Sequence, residues 1–145
     1  MKYPKIKTEI LTPLEYRDLL NGKDVEIISP FLVKVVLDYS TPAEIIIEVL
    51  TIEVPKKFIS DLASVPRFLQ GLIPRFGKYN AAAVAHDWLF IHGKITGRVI
   101  SRALTDRIFL AIMRETKCGW RKKLMYTAVR MFGKCLWDKN RKNDK

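Results

Sequence analysis

Leu32-Val33-Lys34-Val35-Val36-Leu37, then Asp38-Tyr39-Ser40-Thr41-Pro42, then Glu44-Ile45-Ile46-Ile47-Glu48-Val49-Leu50-Thr51-Ile52-Glu53-Val54, is the stretch on which the fold turns. Two runs dense in β-branched residues flank a cluster of turn formers, so they read as two strands and their connection. The second run is longer than a typical strand and predicts a bend or bulge. Upstream, Val25-Glu26-Ile27-Ile28 reads as a third strand, and residues 1–9, where Lys recurs among other side chains, as a short edge strand or ordered arm. Between them Thr12-Pro13-Leu14-Glu15 has the form of a capping box with Pro at the first helical position. It predicts a short helix to about Leu20, closed by Asn21-Gly22.

Downstream, Pro55-Lys56-Lys57-Phe58 ends the sheet-forming half, and Ser64 is placed to cap a helical turn over Pro66–Leu72, stopped by Pro74. Three helices are predicted after that. One spans about Tyr79–His92, one runs from the N-cap Ser101 to about Lys117 before Gly119, and one spans about Trp120–Trp137. The reading is α+β: a small antiparallel sheet followed by a helical hairpin and a basic C-terminal amphipathic helix. Residues 1–137 form a single domain and 138–145 a basic mobile tail.

The 145 residues are 48% hydrophobic and 28% charged, which suits one folded domain and excludes a disordered chain. No apolar run approaches the ~20 residues of a membrane span. Met1-Lys2-Tyr3-Pro4-Lys5 lacks the apolar core of a signal peptide, so secretion by a signal peptide is not expected. Cys118 and Cys135 are too few for a disulfide framework and read as reduced core residues. The net charge of +11 is uneven. Residues 118–145 hold nine Lys/Arg against Asp138 and Asp144, a net of +7, and the first 117 residues hold 17 bases against 13 acids, a net of +4. The basicity therefore belongs to the last helix and tail, which suit a polyanion, an anionic lipid surface or an acidic protein.

On a helical period His86 shares a face with Ala82, Ala83, Leu89 and Phe90, an inward-looking set. Asp106 likewise shares a face with Phe109, Leu110 and Met113. Charged groups are seldom placed on an apolar face without partners. Twenty residues are enough for a helix, a turn and the start of an antiparallel neighbour, so His86 can face Asp106. Such a pair fixes an imidazole as in general-base catalysis, or it ties two helices together structurally. Asp87 lies about 100° further round and joins Asp61 as a candidate pair for a hard cation such as Ca²⁺ or Mg²⁺. Each also has a plain structural reading, Asp61 as a turn cap and Asp87 as a surface carboxylate. His92, just before Gly93, suits the negative end of its helix, and neither the His nor the Cys spacing fits zinc.

In the predicted helix over Trp120–Trp137, Leu124, Met125, Ala128, Val129, Phe132, Cys135 and Leu136 form one stripe, and Lys123, Arg130 and Lys134 line up on another. Such a helix packs its apolar stripe on the domain and shows charge to solvent, or lies on an anionic membrane. No nucleic-acid reading motif accompanies the charge, so DNA is a candidate partner on electrostatics alone.

Asp61-Leu62-Ala63-Ser64-Val65-Pro66-Arg67, Ile73-Pro74-Arg75-Phe76-Gly77-Lys78-Tyr79, His86-Asp87-Trp88-Leu89-Phe90 and Asp106-Arg107-Ile108-Phe109, in that order, resemble a phage and prophage family catalogued as a domain of unknown function. The resemblance covers about residues 50–133 and departs from the family pattern at Phe90, where Tyr is usual, and at Thr105, where Ala is usual. It implies a phage origin, an accessory or virion-associated role, and the host cytoplasm or a virion as the location. Arg67, within the first motif, joins Lys123, Arg130 and Lys134 as the candidate binding set, with a phage structural protein, DNA or an anionic membrane surface as partner. A more distant similarity is to phospholipase A2, and it implies a small hydrolase. In that reading His86 activates water, Asp106 orients it and Asp87 binds Ca²⁺. The glycine-rich calcium loop of those enzymes is not present upstream, and Asp61 with its turn stands in its place.

Overall fold

The computed structural model describes residues 3–21, 24–61 and 78–143. Strands β1 (Lys5–Ile10), β4 (Phe31–Asp38) and β5 (Ile47–Val54) form an antiparallel sheet in the order β1-β4-β5. Strands β2 (Tyr16–Asp18), β3 (Val25–Ile27) and β6 (Ile59–Ser60) form a second, and β7 (Lys94–Ile95) with β8 (Arg98–Val99) a two-stranded hairpin. The helices are α1 (Asn80–His92), α2 (Arg102–Glu115), α3 (Arg121–Phe132) and α4 (Lys134–Asn143). The fold is α+β, with small antiparallel sheets and four helices among the described residues.

Alternation explains the larger sheet. Phe31, Val33, Val35 and Leu37 on β4 are fully buried, and Ile52 and Val54 on β5 join them. A residue and its directly opposed partner share a face, so the pairs Val33↔Ile52 and Phe31↔Val54 line the core. The long apolar run enters the sheet only at Ile47. Before it, Tyr39 N–H donates to the Ile46 carbonyl and Ile46 N–H to Ser40 Oγ, forming the connection from β4.

The outer strand β1 is held from the helical half. Glu115, at the end of α2, accepts from Thr8 Oγ1 at 2.9 Å and from Ile10 N–H at 2.8 Å. An edge strand with free N–H groups is open to pairing with another chain, and this carboxylate occupies one of them.

Helices α1 and α2 form the expected hairpin. Ser101 caps α2, its Oγ accepting from Leu104 N–H at 3.1 Å, and Gly93 ends α1 in the left-handed region at φ 65°. Ala82, Val84, Ala85 and Leu89 on α1 pack in the core with Ile108, Phe109, Ile112 and Met113 on α2. No helix among the described residues is long and apolar enough to cross a membrane.

The structure corrects four expectations. The capping-box segment is not a helix: Tyr16–Asp18 pairs with Val25–Ile27 as strand β2. Thr12 Oγ1 instead accepts from Leu32 N–H and donates to the Pro30 carbonyl, fastening the loop before β4. A helix of two turns is marginal by itself, and sheet pairing outweighs it. The helix over Trp120–Trp137 is two helices divided at Gly133. The last helix, expected to end near Trp137, runs on to Asn143, so residues 138–143 are the last turns of α4. Of the two thiols, Cys118 is buried, its pKa pushed up by that burial, whereas Cys135 is exposed. The turn expected over Pro66–Leu72 lies outside the described residues.

Candidate functional site

His86 on α1 and Asp106 on α2 do meet: His86 Nε2 lies 2.8 Å from Asp106 Oδ1. The approach is built by the helix period, since Ala82, Ala83 and Leu89 bring the His86 face onto α2. The imidazole packs on two aromatic rings, each tilted 38° to it, Phe90 at 4.3 Å and Phe109 at 4.6 Å between centroids. His86 is 5% exposed and Asp106 fully buried.

Asp106 has further partners. Arg130 on α3 donates through Nη1 to Asp106 Oδ2 at 2.9 Å, and Arg102, one turn before Asp106 on α2, has Nη1 3.6 Å from the same oxygen. Arg102 also donates to the carbonyls of Val129 and Arg130 at 3.4 and 3.2 Å. Both carbonyls lie in the last turn of α3: Val129 also accepts from Gly133 N–H, and Arg130 is among the acceptors a helix end leaves without intrahelical donors. One buried carboxylate thus gathers His86, Arg102 and Arg130 from three helices, and one guanidinium caps the third. A buried carboxylate is tolerated when its oxygens are met by donors, as both are here.

A second polar cluster lies one residue along α1. Asp87 Oδ2 accepts from Ser60 Oγ at 2.6 Å and from Asp61 N–H at 3.2 Å, fastening α1 to the end of β6. Burial, with the negative charge of Asp61 added to it, holds the Asp87 carboxyl well above the usual carboxylate range, while the Ser60 hydroxyl and Asp61 N–H pull the other way. Asp61 and Asp87 are therefore neighbours, as the sequence suggested. A hard cation takes six or more oxygens. Among the described residues no group of three or more His, Cys, Asp or Glu side chains is placed to hold a metal.

The raised Asp87 value has a pH consequence. The folded state binds a proton that the unfolded state releases, so this group's stabilising contribution is complete below the unfolded carboxylate value near ~3.9. It is lost as pH rises through the folded value. Asp87→Asn is expected to flatten that decline and to raise the melting temperature at pH 7–8, because the amide oxygen still accepts from Ser60. Thermal unfolding of both proteins from pH 4 to 8 reads this out, and parallel curves would refute it.

The candidate binding set divides. Lys123 on α3 and Lys134 on α4 are exposed, but Arg130 turns inward to Asp106, so the three do not form one cationic line. Lys134 pairs with Asp138 one turn on, at 2.8 Å, a bond that raises the lysine pKa and lowers the aspartate's. Arg67 lies outside the described residues. The inner and outer faces of the last helices also differ from expectation. Met125 is buried and Leu124, Ala128 and Val129 pack on the core, whereas Phe132, Cys135 and Leu136 are exposed. Gly133 divides the stripe, and Trp137 is buried against Phe90 at 5.2 Å. His92, at the end of α1, lies against Trp88, the ring centroids 3.8 Å apart and the planes tilted by 43°.

Sequence reasoning missed three participants. Arg102 could have been found as a base four residues before a buried acid. Ser60 and Arg141 carry no local signal. Arg141 on α4 donates to the carbonyls of Phe90 and Ile91 at the end of α1, and Asn140 donates to Phe90 at 3.1 Å. Its guanidinium lies 4.4 Å from the Trp137 ring centroid, a cation–π contact. No curated protein and no solved structure matches the chain. A family described as a protein of unknown function, DUF1353, matches residues 33–129, from within β4 to the last turn of α3. That span is two thirds of the sequence, and the chain belongs to this family.

Proposed function

We propose that this protein works by binding: a bacteriophage accessory or virion-associated protein whose α3–α4 region meets a polyanion or a phage partner. The phage part of the reading rests on the sequence resemblance. The observation that carries the binding part is the enclosure of His86 and Asp106. The imidazole is 5% exposed and packs on Phe90 and Phe109, and both carboxylate oxygens of Asp106 are engaged. A general base must reach a substrate proton directly or through one water. This dyad instead fits a clasp among α1, α2 and α3, while Lys123, Lys134, Lys139 and Lys142 stand exposed.

A second reading, a small hydrolase resembling phospholipase A2, is favoured by the 2.8 Å contact between His86 and Asp106. One experiment separates the two. Wild type and His86→Ala are screened for ester and phospholipid hydrolysis with Ca²⁺ and Mg²⁺ present, and wild type and Lys123→Glu/Lys134→Glu/Lys139→Glu are titrated with a DNA duplex and heparin. The binding reading expects no His86-dependent turnover. It also expects affinity that falls with salt, with the logarithmic slope reduced by about 1 per lysine removed. Hydrolysis lost in His86→Ala, or unchanged polyanion binding in the triple variant, would overturn it.

A further inference from the structure

The two edges of the β1-β4-β5 sheet differ. Tyr39 N–H donates to the Ile46 carbonyl at 2.8 Å and Leu11 N–H to the Leu32 carbonyl at 2.9 Å. These bonds set the phase of the ladders on both sides of β4, because bonded and non-bonded pairs alternate in an antiparallel ladder. Glu48, Leu50, Ile52 and Val54 therefore exchange hydrogen bonds with β4. The N–H and C=O groups of Ile47, Val49, Thr51 and Glu53 point the other way, out of the sheet edge. Among the described residues nothing bonds them. Their side chains lie on the outer face, Ile47 55% and Val49 57% exposed, and β5 contains no Lys or Pro of the kind that blunts an edge strand. The hairpin of β7 and β8 meets β5 on its other face, where Arg98 Nε lies 2.8 Å from Glu48 Oε2 and neutralises that acid. At the opposite edge of the sheet, β1 has Ile10 N–H taken by Glu115 and α2 packed against it.

From this we infer that β5 pairs with β5 of a second copy of the chain, antiparallel about a two-fold axis at Leu50, joining two sheets into one. The strand is complementary to itself in a single register. With Val49 opposite Thr51 of the second copy and Ile47 opposite its Glu53, every outward N–H and C=O on both strands finds its counterpart. Glu48 then stands opposite Ile52, and no two acids are opposed or diagonal. A slip that sets Val49 opposite Val49 leaves Glu53 beyond the partner strand and brings the two Glu48 side chains to diagonal positions, and a further step opposes them directly. A slip the other way puts Ile47 opposite Pro55, which has no N–H to donate. A foreign strand must be ordered before it can add, whereas each copy presents β5 already held by β4. Residues 39–54 contain no Lys or Arg, so this edge brings none of the chain's positive charge against the second copy. With β1 guarded, copies add at β5, and β5-to-β5 pairing closes at two chains instead of extending into a filament. The interface is small, at or below about 1,200 Å², so a dissociation constant in the micromolar range is expected.

Sedimentation of the full chain, from the low micromolar range to about 1 mM, is expected to show a monomer–dimer equilibrium. Thr51→Pro removes one outward N–H and none of those bonded to β4, and it is expected to weaken the dimer on the order of 100-fold. Val49→Lys/Thr51→Lys, on the outer face, opposes like charges twice across the axis and is expected to weaken it on the order of tenfold. Val49→Lys/Thr51→Glu makes the same two pairs opposite in sign and is expected to return the dimer to within about threefold of wild type. A retained melting temperature at low concentration verifies the fold of each variant, and the two lysine variants decide the question if Thr51→Pro does not fold. A wild type that stays monomeric at about 1 mM overturns the inference and leaves the edge to a strand from another protein. So does a dimer that the proline and double-lysine variants leave unchanged, or one that the charge swap fails to restore. Assembly that grows past two chains overturns the closed two-fold.

Discussion

Asp106→Ala is expected to lower the free energy of unfolding by about 3 kcal/mol and the melting temperature by about 10 °C. The carboxylate is fully buried and answers His86, Arg130 and Arg102, so its removal leaves an imidazole and two guanidiniums facing an empty site. Breaking a buried ion pair from one side costs more than the pair contributes, because the remaining charge has no water to return to. Arg130 is about a third exposed (34%) and can turn partly to solvent, which places the figure at the lower end of the usual 3–5 kcal/mol. Asp106→Asn retains an acceptor and is expected to lose about half as much. Urea denaturation measures both, and a double-mutant cycle with Arg130→Ala isolates the pair. A loss under about 1 kcal/mol in Asp106→Ala would refute the clasp.

Gly93→Ala is expected to cost about 2–3 kcal/mol, from two separable sources. At φ 65° an alanine is strained by about 1–2 kcal/mol. Its Cβ would also clash with Arg141 Nη1, displacing the guanidinium that caps the carbonyls of Phe90 and Ile91. Hydrogen bonds to charged groups contribute about 1.5–3 kcal/mol, reduced here because the Ile91 end is exposed. Arg141→Ala removes the cap without the backbone strain, so the difference between the variants is the left-handed term. Amide exchange is the discriminating measurement: both variants are expected to lose protection along α4, and Gly93→Ala alone at the end of α1. Equal stability of Gly93→Ala and wild type would show that this helix end carries no such constraint.

The parts legible in the sequence are those governed by period and by short connections. Helix periodicity put His86 and Asp106 on apolar faces, and twenty residues between them left an antiparallel hairpin as the simplest arrangement; both follow from local geometry. Asp61 and Asp87 also come together as the sequence suggested. The missed elements depend on distant partners. Thr12-Pro13-Leu14-Glu15 has every local mark of a helix start, but its hydroxyl is used by Leu32 and Pro30, and Tyr16 pairs with Ile27. Arg130 looked like one member of a cationic row because a helical wheel cannot tell which base a buried acid on another helix will take. The hairpin of β7 and β8 turns at Thr96-Gly97, a dipeptide too common to mark two-residue strands by itself.

The bonds from Glu115 to Thr8 and Ile10 bear on the order in which the chain folds. They join residues more than a hundred positions apart, whereas β4 and β5 meet across a short turn. Loop closure favours the near contact first, so the β4–β5 hairpin is available early and the guard on β1 arrives only with α2. Until then the outer strand lacks its carboxylate cover. A chain stalled before α2 is synthesised therefore leaves the β1 edge without the carboxylate at Ile10 N–H, and that interval is when self-association competes with folding.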